Sequence, residues 1–245
     1  MPADGPTILA TSGGLVADPR TQIAFGPLIR YAIELSGVTG RRPRLCHIAT
    51  AGGDQRAFQA EFQGAGRASG VDVATLNFFP MPNVTDIPSF LGEHDVIWVG
   101  GGSTVNLLAV WRAHGLGPVL SEIWKAGVVL AGVSAGSVCW HVGGTTDSFG
   151  PDLRPVTDAL GFLPYANGVH YDAELQRRPL LHRLVADGTL PTAYATDNFV
   201  GLTYRGTELV EAVSEAKGKS AYKVSRSEDH AVEERIEPRV LPGAY

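Results

Sequence analysis

The sequence predicts an α/β fold with an open, mostly parallel sheet flanked by helices and an antiparallel edge at its C-terminal end. Short apolar runs alternate with longer segments of helical period, and glycine follows several of the runs. The last fifty residues contain short strand-like runs separated by turns at Arg205-Gly206 and Lys217-Gly218, which is typical of antiparallel pairs. No linker or repeat divides the chain. We therefore expect one domain over residues 1–245.

The elements follow in the order that such a fold requires. Buried parallel strands are continuous apolar runs, whereas the helices covering them have period 3.6. Strands are predicted at 7–14, 44–51, 71–79, 94–102, 127–134 and 192–196. Helices are predicted at 27–37, 54–68, 103–115, 117–126 and 174–186, and a further helix begins at 135. Loops are expected from Gly144 to the helix at 174.

Composition narrows the partners and the compartment. The formal charge of −5 and the pI near 5.8 give no basic excess for nucleic acid or an anionic membrane. We therefore expect a small, neutral or polar partner. The two cysteines, Cys46 and Cys139, lie in apolar segments and indicate a reducing compartment. No signal-peptide pattern or membrane-spanning run is visible, so a cytoplasmic location is predicted.

A serine stands at the turn between the strand at 127–134 and the helix that follows. The stretch G-V-S-A-G is centred on Ser134. In this spacing the flanking glycines permit a sharp turn that projects the hydroxyl above the sheet edge, and the helix N-terminus directs N–H groups at developing negative charge. The pattern alone also fits a structural turn. As a site, it predicts Ser134 as a nucleophile.

A second glycine-rich turn follows the strand at 94–102. In an open parallel sheet this V-G-G-G-S-T turn should lie at the same carboxyl edge as Ser134. An oxyanion hole needs an N–H beside the nucleophile and another from a neighbouring loop, so Ala135 and Gly102 are the expected donors. The turn completes neither the dinucleotide nor the P-loop fingerprint.

An acid and an imidazole follow in predicted loops, Asp147 in T-T-D-S and His170 in G-V-H-Y-D. The order Ser, Asp, His is that of α/β-hydrolases. However, spacings of 13 and 36 residues from the serine are short for that fold.

Taken together, "VGGGSTVNLL", "GVSAGS", "TTDS" and "VHYD" followed by an arginine pair resemble the peptidase E family of serine peptidases, also called aspartyl dipeptidases. The similarity extends from Thr7 to Val213. It implies a fold similar to class I glutamine amidotransferases, a flavodoxin-like three-layer sandwich. It also implies a cytoplasmic enzyme that needs no metal or cofactor and cleaves dipeptides with an N-terminal aspartate.

The resemblance assigns roles by motif position. It implies Ser134 as nucleophile, His170 as base, and Gly102 and Ala135 as oxyanion donors. Asp147 is the preferred acid, although its loop is one residue shorter than in the family, and Asp197 is the alternative. Substrate contacts are expected from Ser103, Arg177 and Arg178. An arginine fork matches a substrate carboxylate, and the resemblance places the family's specificity arginine near this pair, with Arg177 favoured.

Other functions stay open at this point. One is a cyanophycinase-like or other small-amide hydrolase, and another is a non-catalytic domain that binds a metabolite through the same cleft. No histidine or cysteine pattern has metal-ligand spacing. The four tryptophans are assigned to the core or to a subunit contact, which leaves a homodimer open.

Overall fold

The computed structural model describes residue 3 and residues 5–245, which form two sheets, a hairpin and seven α-helices. The strands are β1 Thr7–Thr11, β2 Leu15–Asp18, β3 Gln22–Phe25, β4 Arg44–Ile48, β5 Asp72–Leu76, β6 Val96–Val99, β7 Val129–Val133, β8 His141–Thr146, β9 Arg154–Val156, β10 Leu163–Gly168, β11 Ala193–Thr196, β12 Val200–Arg205, β13 Glu208–Ser214, β14 Ala221–Ser227, β15 His230–Ile236 and β16 Arg239–Val240. The helices are α1 Pro27–Leu35, α2 Arg56–Ala68, α3 Ile87–Gly92, α4 Thr104–Ala113, α5 Leu116–Lys125, α6 Ala135–Val138 and α7 Arg177–Ala186.

The larger sheet has eight strands in the order β16-β13-β12-β1-β7-β6-β4-β5. The five strands from β1 to β5 in this order are parallel, whereas β12 pairs antiparallel with β1 and with β13. This is the mostly parallel sheet with an antiparallel edge that the sequence predicts. The carboxyl ends of β1, β6 and β7 therefore lie side by side.

Alternate residues of the central strands face opposite helical layers. On one face, Trp98 of β6 packs in a core with residues of α1 and α2, such as Ile29 and Phe62. On the other face, Ile97 of the same strand belongs to a core with residues of α4 and α5, such as Trp111. These three layers explain why the central strands are apolar on both faces.

The second sheet differs from the sequence prediction. It has six strands in the order β15-β14-β11-β10-β8-β9, and α7 packs on it through Leu181 and Val185. Strands β8 and β10 carry glycines, and β10 also a proline and an asparagine, so they lack the apolar pattern on which the prediction depended. The strands β11, β14 and β15 were predicted, the last two as an antiparallel pair, but as part of a single sheet, whereas β8, β9 and β10 were not expected to be strands. The helix expected from residue 135 is four residues long because His141 already belongs to β8.

Two further features complete the fold. The antiparallel hairpin of β2 and β3 was not predicted, since its short strands are half-exposed and weakly patterned. Within the described part of the chain, no helix combines the length and apolarity needed to cross a bilayer.

Candidate active site

Ser134 occupies a strained turn between β7 and α6. Its backbone has φ 58° and ψ −115°, a conformation that costs a non-glycine residue free energy. The flanking glycines are both required: a Cβ on Gly132 would lie 2.4 Å from the Gly136 carbonyl oxygen, and one on Gly136 would lie 2.2 Å from that of Val99. The motif is therefore a tight turn pressed against β6, and Ser134 keeps a half-exposed side chain at the sheet edge.

The glycine turn after β6 lies directly against this serine. A Cβ built on Gly101 would be 3.8 Å from Ser134 Oγ. Gly102 has φ +134°, and a Cβ there would lie 2.3 Å from the Ala51 carbonyl oxygen, so this position accepts only glycine without a shift. The Ala135 N–H is the first of α6, where no intrahelical acceptor exists. The glycine turn and the start of α6 thus both lie next to Ser134.

His170 lies in the loop after β10 and also has a left-handed backbone, with φ 53°. Its ring nitrogen Nδ1 is 2.5 Å from Oδ1 of Asn198, which follows the neighbouring parallel strand β11. Since a carboxamide oxygen only accepts, Nδ1 carries the proton and Nε2 is left as the basic nitrogen. This arrangement fixes one tautomer of the imidazole.

The ion pair of Asp172 and Lys219 holds the main chain of Asn198. The Asn198 N–H donates to Asp172 Oδ1 over 2.8 Å, and Lys219 Nζ lies 2.6 Å from Asp172 Oδ2. Burial raises the pKa of Asp172, but the hydrogen bonds from Lys219 and from the Asn198 N–H outweigh it and the pKa is lowered. Asp172 therefore stays ionised and anchors the Asn198 backbone.

The end of β1 connects the serine and the histidine. The Ser134 N–H donates to the Thr11 carbonyl oxygen over 3.1 Å, and the His170 N–H donates to Ser12 Oγ over 3.1 Å. The nucleophile candidate and the base candidate thus anchor on adjacent residues of one strand end. Within residue 3 and residues 5–245, no hydrogen bond joins the two side chains themselves.

The two predicted acids lie elsewhere. Asp147 is exposed in the loop after β8, and no hydrogen bond joins it to His170 in the part of the chain that the structure describes. Asp197 is buried, and its Oδ2 accepts from the Ser220 N–H over 2.9 Å rather than from His170. Burial raises the pKa of Asp197. The structure gives His170 an amide partner, Asn198, where the sequence predicted a carboxylate.

The two predicted substrate arginines are both engaged. The Arg177 side chain is 3% exposed, and its guanidinium donates to Thr145 and forms an ion pair with Glu174. Burial lowers the pKa of Arg177, which the charges of Glu174 and Asp147 oppose. The Arg178 side chain is 44% exposed, and its Nη1 lies 3.1 Å from Glu233 Oε1. Its guanidinium also covers the rings of two tyrosines, each centroid 4.6 Å away.

A cavity of about 550 Å³ opens between the loop after β8 and the segment that follows His170 in the chain. It is lined by the loop after β8, including Asp147 and Leu153, and by the segment after His170, including Glu174. The Glu174 N–H donates to the His170 carbonyl oxygen over 3.1 Å, so the wall that contains Glu174 begins one backbone turn after His170. Two carboxylates therefore line the cavity, with Arg177 paired to one of them.

Two loops are joined at the start of α4. The Ser103 hydroxyl accepts from the Asn106 N–H over 3.3 Å and so caps the helix. Two residues after Ser103, the Val105 N–H donates to Ser148 Oγ over 3.3 Å. The cavity loop is thereby attached to the helix that follows the glycine turn.

Comparisons with known proteins identify the family to which the chain belongs. Residues 8–212 match the family model described as peptidase family S51, and the chain therefore belongs to that family. A Bacillus subtilis (strain 168) peptidase called YgaJ is 40% identical over 192 residues, which are 78% of this chain and 82% of the relative. Peptidase E of Streptomyces coelicolor is 29% identical over 141 residues, 56% of each chain. A crystal structure of a peptidase from an acI-B1 Actinobacterium has a TM-score of 0.63 at 18% identity, covering 94% of this chain and 95% of that one.

The sequence reasoning missed Asn198 and Ser12. Asn198 follows Asp197 directly, but a triad is expected to contain an acid, and a neutral amide does not meet that expectation. Its place after the predicted strand at 192–196 was the one signal, and the strand that precedes His170 was not predicted. Ser12 gave no signal beyond its position at the end of β1.

Proposed function

We propose that this peptidase is a serine hydrolase of short peptides in which Ser134 is the nucleophile and His170 the general base. The observation that carries the proposal is the strained turn at Ser134, with the glycine turn on one side and a histidine of fixed tautomer anchored to the same strand end. Strain of this kind persists only where the surrounding structure holds it, and it concentrates at functional sites.

In the proposed mechanism, His170 Nε2 takes the Ser134 hydroxyl proton as Oγ attacks the peptide carbonyl carbon. The carbonyl oxygen becomes an oxyanion, for which the N–H groups of Gly102 and Ala135 are the proposed donors. The tetrahedral intermediate collapses, the C–N bond breaks, and the proton on Nε2 goes to the leaving amine. Water then attacks the acyl-enzyme by the same route and releases the acid and Ser134.

Asn198 takes the orienting role that the resemblance gives to an aspartate. Its amide oxygen keeps the proton on Nδ1 and the ring in place, although it offers less stabilisation of the imidazolium than a carboxylate would. Asp172 and Lys219 supply charge one step further out, through the Asn198 backbone.

The proposed substrates are dipeptides, with N-terminal aspartate as the preference that the resemblance implies. In this proposal one side chain of the substrate enters the cavity between the loop after β8 and the segment after His170. An aspartyl carboxylate would have to replace Glu174 on Arg177, because that buried guanidinium already has a counter-charge. Arg178, held by Glu233 and two aromatic rings, is the weaker candidate.

A peptide panel tests this proposal. Wild type and Ser134→Ala are compared on dipeptides beginning with aspartate, isoaspartate, glutamate, asparagine and alanine. We expect Ser134-dependent hydrolysis with the highest kcat/KM on aspartyl substrates, while a maximum on isoaspartyl substrates would favour the cyanophycinase-like alternative. Labelling by a fluorophosphonate, read by intact mass, should add one adduct to wild type and none to Ser134→Ala. Absence of both hydrolysis and labelling would refute the proposal.

A further inference from the structure

Ser12 lies at a junction between the two sheets. It follows β1 of the eight-stranded sheet, which also carries Ser134 after β7. Its hydroxyl reaches Thr196 at the end of β11 in the six-stranded sheet, which carries His170 after β10. The nucleophile and the base therefore stand on different sheets. Their separation depends on how the two sheets are joined at this edge.

The hydroxyl of Ser12 makes this junction with a complete set of hydrogen bonds. Its Oγ lies 2.7 Å from Thr196 Oγ1 and 3.3 Å from the Thr196 carbonyl oxygen, and it accepts the His170 N–H over 3.1 Å. The residue is only 3% exposed. Little water can replace the hydroxyl, so its removal would leave the His170 N–H without an acceptor.

The backbone of Ser12 holds the segment that follows Asn198, the residue that contacts the His170 ring. Its carbonyl oxygen accepts the Phe199 N–H over 2.9 Å, and its N–H donates to the Val200 carbonyl oxygen over 2.8 Å. These bonds hold the residues that follow Asn198, whose side chain orients the imidazole. The residue before Ser12 is Thr11, whose carbonyl oxygen accepts the Ser134 N–H.

We propose that Ser12 is a positioning residue that sets the distance between Ser134 and His170 through its hydroxyl. The inference rests on the proposed function, since it needs these two side chains to act together. His170 has a positive φ, which is uncommon for a residue other than glycine. The hydrogen bond from its N–H to Ser12 holds that conformation. A displacement of about 1 Å between reacting groups can reduce a rate by about 10²-fold.

The test compares Ser12→Ala with a matched buried serine. Ser36 is 2% exposed and its hydroxyl donates to the Ile33 carbonyl oxygen at the end of α1, on no element of the site. For Ser12→Ala we expect kcat to fall by at least about tenfold with KM within about twofold of wild type. Phosphonylation of Ser134 should slow in parallel. Ser36→Ala should keep wild-type kcat and labelling rate.

A second variant covers a failure of Ser12→Ala to fold. Thr196→Val is nearly isosteric and removes only the hydroxyl that binds Ser12, so kcat should fall in the same direction by a smaller factor. A folded Ser12→Ala with wild-type kcat, or an unchanged kcat in Thr196→Val when the first variant does not fold, would overturn the inference. If wild type shows no Ser134-dependent hydrolysis at all, the proposed function itself fails, which is a different result.

Discussion

Oδ1 of Asn198 lies 2.5 Å from Nδ1 of His170, so the imidazole is oriented by a neutral amide. The nearest carboxylate in this network, Asp172, contacts the Asn198 main chain and not the histidine. In the proposed mechanism, tautomer control and charge stabilisation, which one aspartate supplies in a Ser-His-Asp triad, would be separated between Asn198 and Asp172. This separation can be tested residue by residue.

Substitution of Asn198 should separate these two effects. Asn198→Ala removes the acceptor for the His170 ring N–H, and we expect kcat to fall by roughly 10²-fold. Asn198→Asp supplies a carboxylate instead, which favours the protonated imidazole. Its kcat/KM profile should therefore keep a high plateau, with the acidic limb moved to higher pH. Stopped assays from pH 5 to 9 measure both effects.

If Asn198→Ala kept wild-type kcat, this residue would have no orienting role. A loss in Asn198→Asp as large as in Asn198→Ala, with both proteins folded by circular dichroism, would also contradict the account.

Gly102 should tolerate no side chain. A Cβ there would meet the Ala51 carbonyl oxygen at 2.3 Å, so Gly102→Ala must shift the glycine turn and its N–H. Loss of one oxyanion donor typically lowers kcat by about 10²–10³-fold. Gly52→Ala is the control, because its Cβ would make an ordinary 3.6 Å contact with the Gly101 carbonyl oxygen. Equal kcat values for the two variants would argue against a role for this turn.

Glu174 should lower the kcat/KM of substrates with a carboxylate side chain. Glu174→Gln keeps an amide oxygen near Arg177 but removes the counter-charge, which leaves the guanidinium free to pair with a substrate carboxylate. We expect the kcat/KM ratio of aspartyl to alanyl dipeptides to rise by about tenfold, equivalent to about 1.4 kcal/mol. Arg178→Gln should leave this ratio unchanged. A shift in Arg178→Gln alone would assign the substrate contact to that arginine.

Acid should destabilise the fold through His47. The ring is buried and stacked on Phe62 with centroids 4.0 Å apart, and burial lowers the pKa of His47 from 6.5 to about 3. The unfolded chain binds a proton below pH 6.5 that the folded state refuses, so stability is present above that pH and is lost as pH falls toward 3. At pH 5 this loss is about 2 kcal/mol.

His47→Phe should remove this part of the pH dependence while it keeps the stacking. Urea unfolding at pH 7 and pH 5 measures it, and the variant should lose less free energy of unfolding than wild type between the two values. His141, whose pKa burial lowers to about 4, supplies a further acid-dependent loss that both proteins share. An identical pH dependence in the two proteins would contradict the assignment.

The sequence predicted the larger sheet because its strands are apolar on both faces, as in the alternation of Ile97 and Trp98 between two helical layers. It did not predict the second sheet. Strands β8 and β10 pair through a stretch where Gly144 lies opposite Asn167, and such residues give no apolar period. Their pairing depends on tertiary contacts that a local pattern does not contain.

The candidate site could also be predicted only in part. Ser134 could be placed from the spacing of its glycines, because the turn geometry itself requires them. Asn198, the partner of His170, could not be predicted. Its position depends on β10 and β11 lying side by side, which no local pattern revealed. A triad is expected to contain a carboxylate, which favours Asp147 and Asp197 over the amide of Asn198.

The most direct measurement is dipeptide hydrolysis by wild type and by Ser134→Ala, with folding of both proteins verified by thermal unfolding. The account predicts that wild type releases the free amino acids and that the variant loses this activity by several orders of magnitude at an unchanged fold. Hydrolysis by Ser134→Ala at the wild-type rate would contradict it.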